Sequence, residues 1–288
     1  MKISVITPTY NRGDLIDRCI RSVLNQNYDD FELIIVDDCS KDDTEDVVKR
    51  YLSDNRIKYF KLKENSGVNK ARNHGIKQVS ENSMLITFLD SDDEFLPNAL
   101  ADMISTANSY PEINCFRFRV IDSNGDEASN SIHSNKIVDF EYFIDNLFTI
   151  GEWVCTYRRK IIDNGFEYNE NVKAFEVVSY LDLAKKEKQY FSDKIVRTYH
   201  IGHESISNEK MSKSKILNSI IGYELILNHF RGDIFSINKA VLARFEYILS
   251  YFYILNGETK KGLKYNWHAF TKSPLDLRFI RNLLKIIK

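Results

Sequence analysis

Leu33-Ile34-Ile35-Val36-Asp37-Asp38 and, further along, Met84-Leu85-Ile86-Thr87-Phe88-Leu89-Asp90-Ser91-Asp92-Asp93 are two apolar runs without alternation, each halted by aspartates. A strand apolar on both faces belongs in a parallel sheet covered by helices on each side. Working outward, Ile3 to Ile6 is a similar short run closed by Pro8, and Ile57 to Leu62 reads as a further strand. Between the strands, Leu15, Ile16, Cys19, Ile20, Val23 and Leu24 recur at helical spacing, as do Val47, Val48, Tyr51 and Leu52. Ser40 with Asp43 predicts the start of the second of these helices. Ala71, Ile76 and Val79 predict a third helix, and Pro97 suits the first turn of a fourth carrying Leu100, Met103 and Ile104. Strands alternating with helices predict an α/β fold with a mostly parallel sheet flanked by helices.

The whole chain has 288 residues, 43% of them hydrophobic and 28% charged, enough apolar material for a sizeable core. Forty basic and forty-one acidic side chains give a net charge of −1, so no global excess draws the protein onto nucleic acid. Cys19, Cys39, Cys115 and Cys155 stand far apart with no CxxC pair, which fits a reducing compartment rather than a zinc ribbon or disulfide scaffold. The first residues reach Asn11, Arg12 and Asp14 without a long apolar run, so no signal peptide is expected. Tyr247 to Leu255 is too short to cross a bilayer, and the expected location is cytoplasmic. Residues 1–210 read as one domain, with a ligand-binding half at 1–110 and a less regular α+β half at 111–210. Residues 211–288 read as a helical C-terminal region, with Val241, Leu242, Phe245, Ile248, Leu249, Phe252 and Tyr253 as an amphipathic stripe.

In an open parallel sheet, ligands sit beyond the carboxyl ends of the strands. Thr7-Pro8-Thr9-Tyr10-Asn11, Asp37-Asp38 and Asp90-Ser91-Asp92-Asp93 all fall at such ends. Aspartate is common in turns and helix caps, but two clusters at one sheet edge weaken that plain reading. Asp90 and Asp92 flank a single residue, so both can approach one hard cation and leave coordination positions for substrate phosphates. Asp38 suits a polar ligand such as a nucleobase. Asn65-Ser66-Gly67 with Lys70, Arg72 and Asn73 adds cations for phosphate or base contacts, or else forms a solvated first helical turn. Neither GxGxxG nor GxxxxGK[ST] occurs, so neither a dinucleotide fingerprint nor a P-loop is supported.

Four segments in this order, Ser4 to Asn11, Val36 to Thr44, Asn65-Ser66-Gly67 with Ala71-Arg72-Asn73, and Phe88 to Asp93, resemble the family 2 glycosyltransferases. The resemblance is carried by residues 1–110 and continues more loosely to 210. It implies a GT-A type nucleotide-diphospho-sugar transferase fold with a C-terminal helical extension. It also implies inverting transfer of a sugar, from a UDP-sugar in most members, to a glycan or lipid-linked acceptor. By position, Pro8, Thr9, Tyr10, Asp38, Asn65, Arg72 and Asp90 match nucleotide-binding residues, with Asp38 and Arg72 near the base. Asp92 closes the DXD-type motif that meets Mn²⁺ or Mg²⁺. His203, in His203-Glu204-Ser205-Ile206-Ser207, matches a histidine near the diphosphate or metal, its alternative being an ordinary loop histidine.

One departure concerns the catalytic base. Family members carry an acidic pair opening a helix, and here Glu176 is followed by Val177, which cannot take a proton. Glu176 keeps the local register as base. The alternatives are a slip to Asp182, or a non-catalytic family member that binds nucleotide-sugar or partners another transferase. A nucleotidyltransferase on the same sheet edge is a third class, without an evident glycine-rich phosphate loop. Trp153 and Tyr157 could stack on a sugar, though such aromatics are more often core. The final segment, 257–288, carries eight Lys/Arg against two Asp/Glu. It is expected to pack its apolar positions on the α/β domain or a second subunit, with peripheral contact at the inner face of the cell membrane as the competing expectation.

Overall fold

The computed structural model describes residues 1–201 and 211–287. The first half alternates as expected: β1 (Lys2–Thr9), α1 (Gly13–Leu24), β2 (Phe31–Asp37), α2 (Thr44–Lys49), β3 (Ile57–Lys61), α3 (Val68–Lys77), β4 (Ser83–Phe88), β5 (Glu94–Phe95) and α4 (Ala99–Ser109). Then follow β6 (Cys115–Asp122), β7 (Lys136–Val138), α5 (Phe140–Asn146), β8 (Trp153–Arg158), α6 (Arg159–Asp163), α7 (Val177–Lys186) and β9 (Gln189–Tyr199). The C-terminal region is helical throughout its described residues: α8 (Lys213–Ile237), α9 (Lys239–Leu255), α10 (Thr259–Lys272) and α11 (Arg278–Ile287).

Among the described residues one sheet runs β3-β2-β1-β4-β8-β6-β9-β5, with β7 paired to β9. The strands β3, β2, β1 and β4 are parallel, whereas β8 is antiparallel to both β4 and β6. Strand alternation explains why these runs are apolar on both faces. Ile3, Val5, Leu33, Ile35 and Leu85 join Ile16, Ile20, Val47, Leu100 and Met103 in one core layer. Ile6, Ile34, Val36, Ile86 and Phe88 meet Ala71, Ile76, Ile161 and Leu183 in the other. Trp153 and Tyr157 belong to the core: Trp153 packs edge-on against Phe191 at 4.8 Å, and Tyr157 is fully buried beside Phe166 at 5.2 Å.

Two local expectations are corrected. The α2 helix begins at Thr44, four residues past Ser40 and with no side-chain cap from Asp43; the Ser40 hydroxyl accepts from the Asn11 amide at 2.9 Å. Pro97 precedes α4 rather than lying in its first turn, and its carbonyl accepts from the Asn27 amide.

The contacts divide the chain into two compact units. The first comprises 1–140, 148–173 and 179–201, and the second 141–147, 174–178 and 211–287, within the described residues. Two short segments that precede residue 201 in the chain thus group with the helices. Within the helical unit, Glu246 is fully buried and accepts from Arg231 of α8 at 2.6 Å and Lys272 of α10 at 2.9 Å. Among the described residues no helix is long and apolar enough to cross a membrane.

At the amino end of the parallel strands, away from the aspartate clusters, Glu32 lies 1% exposed on β2. It accepts from Ser4 Oγ at 2.6 Å and from the Ser80 amide at 2.8 Å, and it pairs with Lys58 at 2.8 Å. Burial alone would raise its pKa; Lys58, Ser4 and Ser80 outweigh that and lower it to about 2. The folded value lies below the ordinary one, so the stabilisation is present above the unfolded pKa and lost as pH falls towards 2. The shift corresponds to roughly 3 kcal/mol at neutral pH. Glu32→Gln should lower the urea midpoint at pH 7, with the gap to wild type closing on acidification from about 4.5 to 2. A gap independent of pH would refute this account.

Candidate functional site

The crevice lies where β1 outruns β4. Register with β4 ends at Ile6 opposite Phe88, whereas pairing with β2 continues to Thr9 opposite Asp37. Because backbone groups alternate sides along a strand, the donor that Pro8 lacks would face the side β4 has left, so a proline is tolerated in a central strand. The chain moves from β1 towards β2 and β3, then returns across β1 to β4, which makes the β1–β4 gap the topological switch point. Pro8 and Thr9 are buried there and Tyr10 is exposed.

Asp37 and Asp38 divide the labour at the end of β2. Asp37 accepts from the Ser40 amide at 2.7 Å and the Tyr59 hydroxyl at 2.6 Å, so it holds the turn. Asp38 accepts from the amides of Ser66 at 2.8 Å and Gly67 at 2.7 Å, so it holds the loop opening α3. Burial pushes the Asp38 pKa above its ordinary value, against the pull of those amides. Each oxygen keeps a lone pair for a ligand donor. Gly67 has φ +95°, and a Cβ there would sit 2.7 Å from Lys173 Cβ, so no other residue fits without displacement. Asn65 is exposed at the start of this loop. Asn73 anchors the 168–173 segment, accepting from the Tyr168 amide at 2.8 Å and donating to its carbonyl at 2.8 Å.

Beyond β4, arginines organise the carboxylates. Arg72 donates to Asp90 Oδ1 at 2.9 Å and lies over the Tyr168 ring at 5.3 Å. Arg197, 4% exposed on β9, stands 3.8 Å from Asp90 Oδ2, 3.4 Å from Asp93 and 3.1 Å from Glu152. Burial opposes the Asp90 charge, but Arg72 and Arg197 prevail and hold its pKa below the usual carboxylate range. Asp93 is the reverse case: burial pushes its pKa up to about 7 despite Arg197. Asp92 stands 3.7 Å from Arg12, and its backbone carbonyl accepts from Arg18 at 2.6 Å. Among the described residues no group of three or more His, Cys, Asp or Glu side chains could hold a metal ion. The described side chains therefore form no closed cage of the kind that holds a cation by protein ligands alone.

Several of these groups carry no local sequence signal. Arg197 reaches the site through β9, and Glu152 through the turn before β8. His200 meets the same carboxylates, its amide donating to Asp93 at 3.1 Å and its ring nitrogen 2.6 Å from Glu94. His203 lies outside the described residues. Glu176 is half-buried immediately before α7, in the second unit. Its neighbour Phe175 packs edge-on against Tyr223 of α8 at 4.9 Å, over Gly222, where a Cβ would approach the Phe175 ring to 2.6 Å. Asp182 points away from the buried Leu181 and Leu183, is exposed, and pairs with Lys186 at 2.7 Å.

The family model for glycosyl transferase family 2 matches residues 4–166. A Campylobacter jejuni protein named GalNAc(5)-diNAcBac-PP-undecaprenol beta-1,3-glucosyltransferase is 34% identical over 206 residues, which is 69% of this chain and 65% of that enzyme. The poly(ribitol-phosphate) beta-N-acetylglucosaminyltransferase TarP of Staphylococcus aureus is 32% identical over 66% of this chain and 69% of its own. Among solved structures, S. aureus TarS 1–349 in complex with UDP-GlcNAc aligns with a TM-score of 0.70 at 22% identity, covering 100% of this chain and 88% of that one. Strand-end motifs, sheet order and matched sequence share one origin: the chain belongs to glycosyl transferase family 2, on a GT-A fold with C-terminal helices.

Proposed function

We propose that the protein is an inverting glycosyltransferase that moves a sugar from a UDP-sugar to a hydroxyl of a bacterial surface glycan or glycoconjugate. The observation that carries this reading is the convergence at the β1–β4 switch point of the Asp38-held loop and the arginine-braced Asp90-Ser91-Asp92 carboxylates. The UDP-GlcNAc bound to TarS supports the donor, and the lipid-pyrophosphate and poly(ribitol-phosphate) names of the relatives support the acceptor class. Four free cysteines fit a cytoplasmic location.

In this reading Pro8, Thr9, Tyr10, Asp38, Asn65 and Arg72 bind the nucleotide, with Asp90 fixed by its two arginines. Asp92 would hold Mn²⁺ or Mg²⁺, which supplies neutralisation of the charge growing on the departing diphosphate. His203 is proposed beside it. Glu176 takes the proton from the acceptor hydroxyl as that oxygen attacks the anomeric carbon opposite the leaving group, so the configuration inverts. Val177 favours one competing reading, a non-catalytic member that binds nucleotide-sugar or partners an active transferase.

Metal dependence follows from Asp92. Donor binding measured by calorimetry should require Mn²⁺ or Mg²⁺ and be lost in Asp92→Ala; full binding in chelator would contradict the assignment. Nucleotide choice follows from Asp38: UDP should raise the melting temperature more than ADP or GDP, because binding to the folded state alone stabilises it. Asp38→Ala should erase that preference, and equal shifts for all three nucleotides would remove the base contact. For the base, Glu176→Gln should cut transfer by about 10²–10⁴-fold with UDP affinity little changed. Unaltered transfer would exclude Glu176, and a wild type that binds UDP but transfers from no donor would establish the non-catalytic reading.

A further inference from the structure

In the α10–α11 hairpin an inner stripe is packed and an outer stripe is not. Inward, Ala269 and Phe279 join Ala243 and Tyr247, the Phe270 and Phe279 rings meet at 4.5 Å, and Asn282 donates to the Tyr247 carbonyl at 2.9 Å. Outward, Leu263, Trp267, Leu277, Ile280 and Leu284 are exposed at helical spacing, and Leu275 between the helices is 93% exposed. Lys260, Lys264 and Arg281 are exposed along the same stripes. From Thr259 to Ile287 the one acidic residue is Asp276, and Arg278 already pairs with it at 2.5 Å. Soluble surfaces rarely leave so many large apolar groups contiguous without a partner.

We infer that this outer face docks on an anionic phospholipid bilayer, with the leucines and Trp267 entering the headgroup boundary and the three cations meeting lipid phosphates. Charge complementarity selects this occupant. A second copy seated on the same face by a two-fold axis would oppose Lys260, Lys264 and Arg281 to their own equivalents with no free carboxylate between them. Apolar insertion and electrostatic attraction are two weak signals that together anchor a protein in the interface. An indole sits well at the headgroup level.

The test uses the full chain and sedimentation with vesicles of phosphatidylglycerol and phosphatidylcholine, against vesicles of phosphatidylcholine alone. Binding is expected to the anionic vesicles at low salt and to weaken as salt shortens the screening length. Trp153 is only 7% exposed in the core, so a blue shift of tryptophan emission on binding would report Trp267. Lys260→Glu with Lys264→Glu and Arg281→Glu should weaken binding by at least about 100-fold, since each cation near the surface contributes about fivefold. Leu275→Asp, at a position too exposed to unfold the protein, should weaken it by about tenfold or more. Failure of the wild type to bind anionic vesicles, or binding unmoved by these variants, would overturn the inference. So would a wild-type dimer in light scattering that Leu275→Asp turns into a monomer, which would assign the face to a second copy.

Discussion

Everything in the candidate site depends on one mismatch of strand lengths. The β1 strand stays paired to β2 as far as Thr9 but loses β4 after Ile6, and the chain beyond Phe88 must turn away into the gap. That turn carries three aspartates close together, and like charges so placed repel unless cations answer them. Arg72 arrives from α3 and Arg197 from β9, one on each oxygen of Asp90. Asp92, two residues on in the same turn, stands 3.7 Å from Arg12.

The same logic separates the two ends of the parallel strands. At the amino end, Glu32 is surrounded by Lys58, Ser4 and Ser80, all its acceptor capacity directed at the protein itself. A buried carboxylate so completely answered stabilises and does nothing else. At the carboxyl end, Asp38 is nearly as buried, yet its partners are two amides of a loop rather than a cation, and its pKa is raised rather than lowered. Burial is common to both. The difference in partners sets the sign of the shift: a lysine ammonium with hydroxyl and amide donors outweighs burial at Glu32, and two loop amides do not at Asp38.

The chain's alternation was legible because the apolar runs are uninterrupted and each ends on a charge: Val36 before Asp37, Leu89 before Asp90. Asp38, Arg72, Asp90 and Asp92 were legible for the same reason, since they occupy the strand ends and the first turns after them. Arg197 was not, because nothing within β9 announces that register with β6 carries it to Asp90 and Asp93. Ser40 was misread as a helix start because local spacing cannot reveal that the Asn11 amide, in the turn after β1, donates to its hydroxyl. The stripe on α9 likewise does not announce that Glu246 within it is buried, because only the packing of α8 and α10 supplies Arg231 and Lys272. Local periodicity specifies elements; long-range pairing specifies which charges meet.

The helical unit is then more than an appendage to the sheet. It takes in residues 174–178, and within it Phe175 beside Glu176 packs on Gly222 and Tyr223. A side chain longer than hydrogen at 222 would displace that ring. Val177, which cannot accept a proton, instead opens α7 and continues into Val178, 6% exposed. Packing alone therefore fixes the backbone on which Glu176 is carried: the Phe175 ring needs hydrogen at position 222 and lies edge-on to Tyr223.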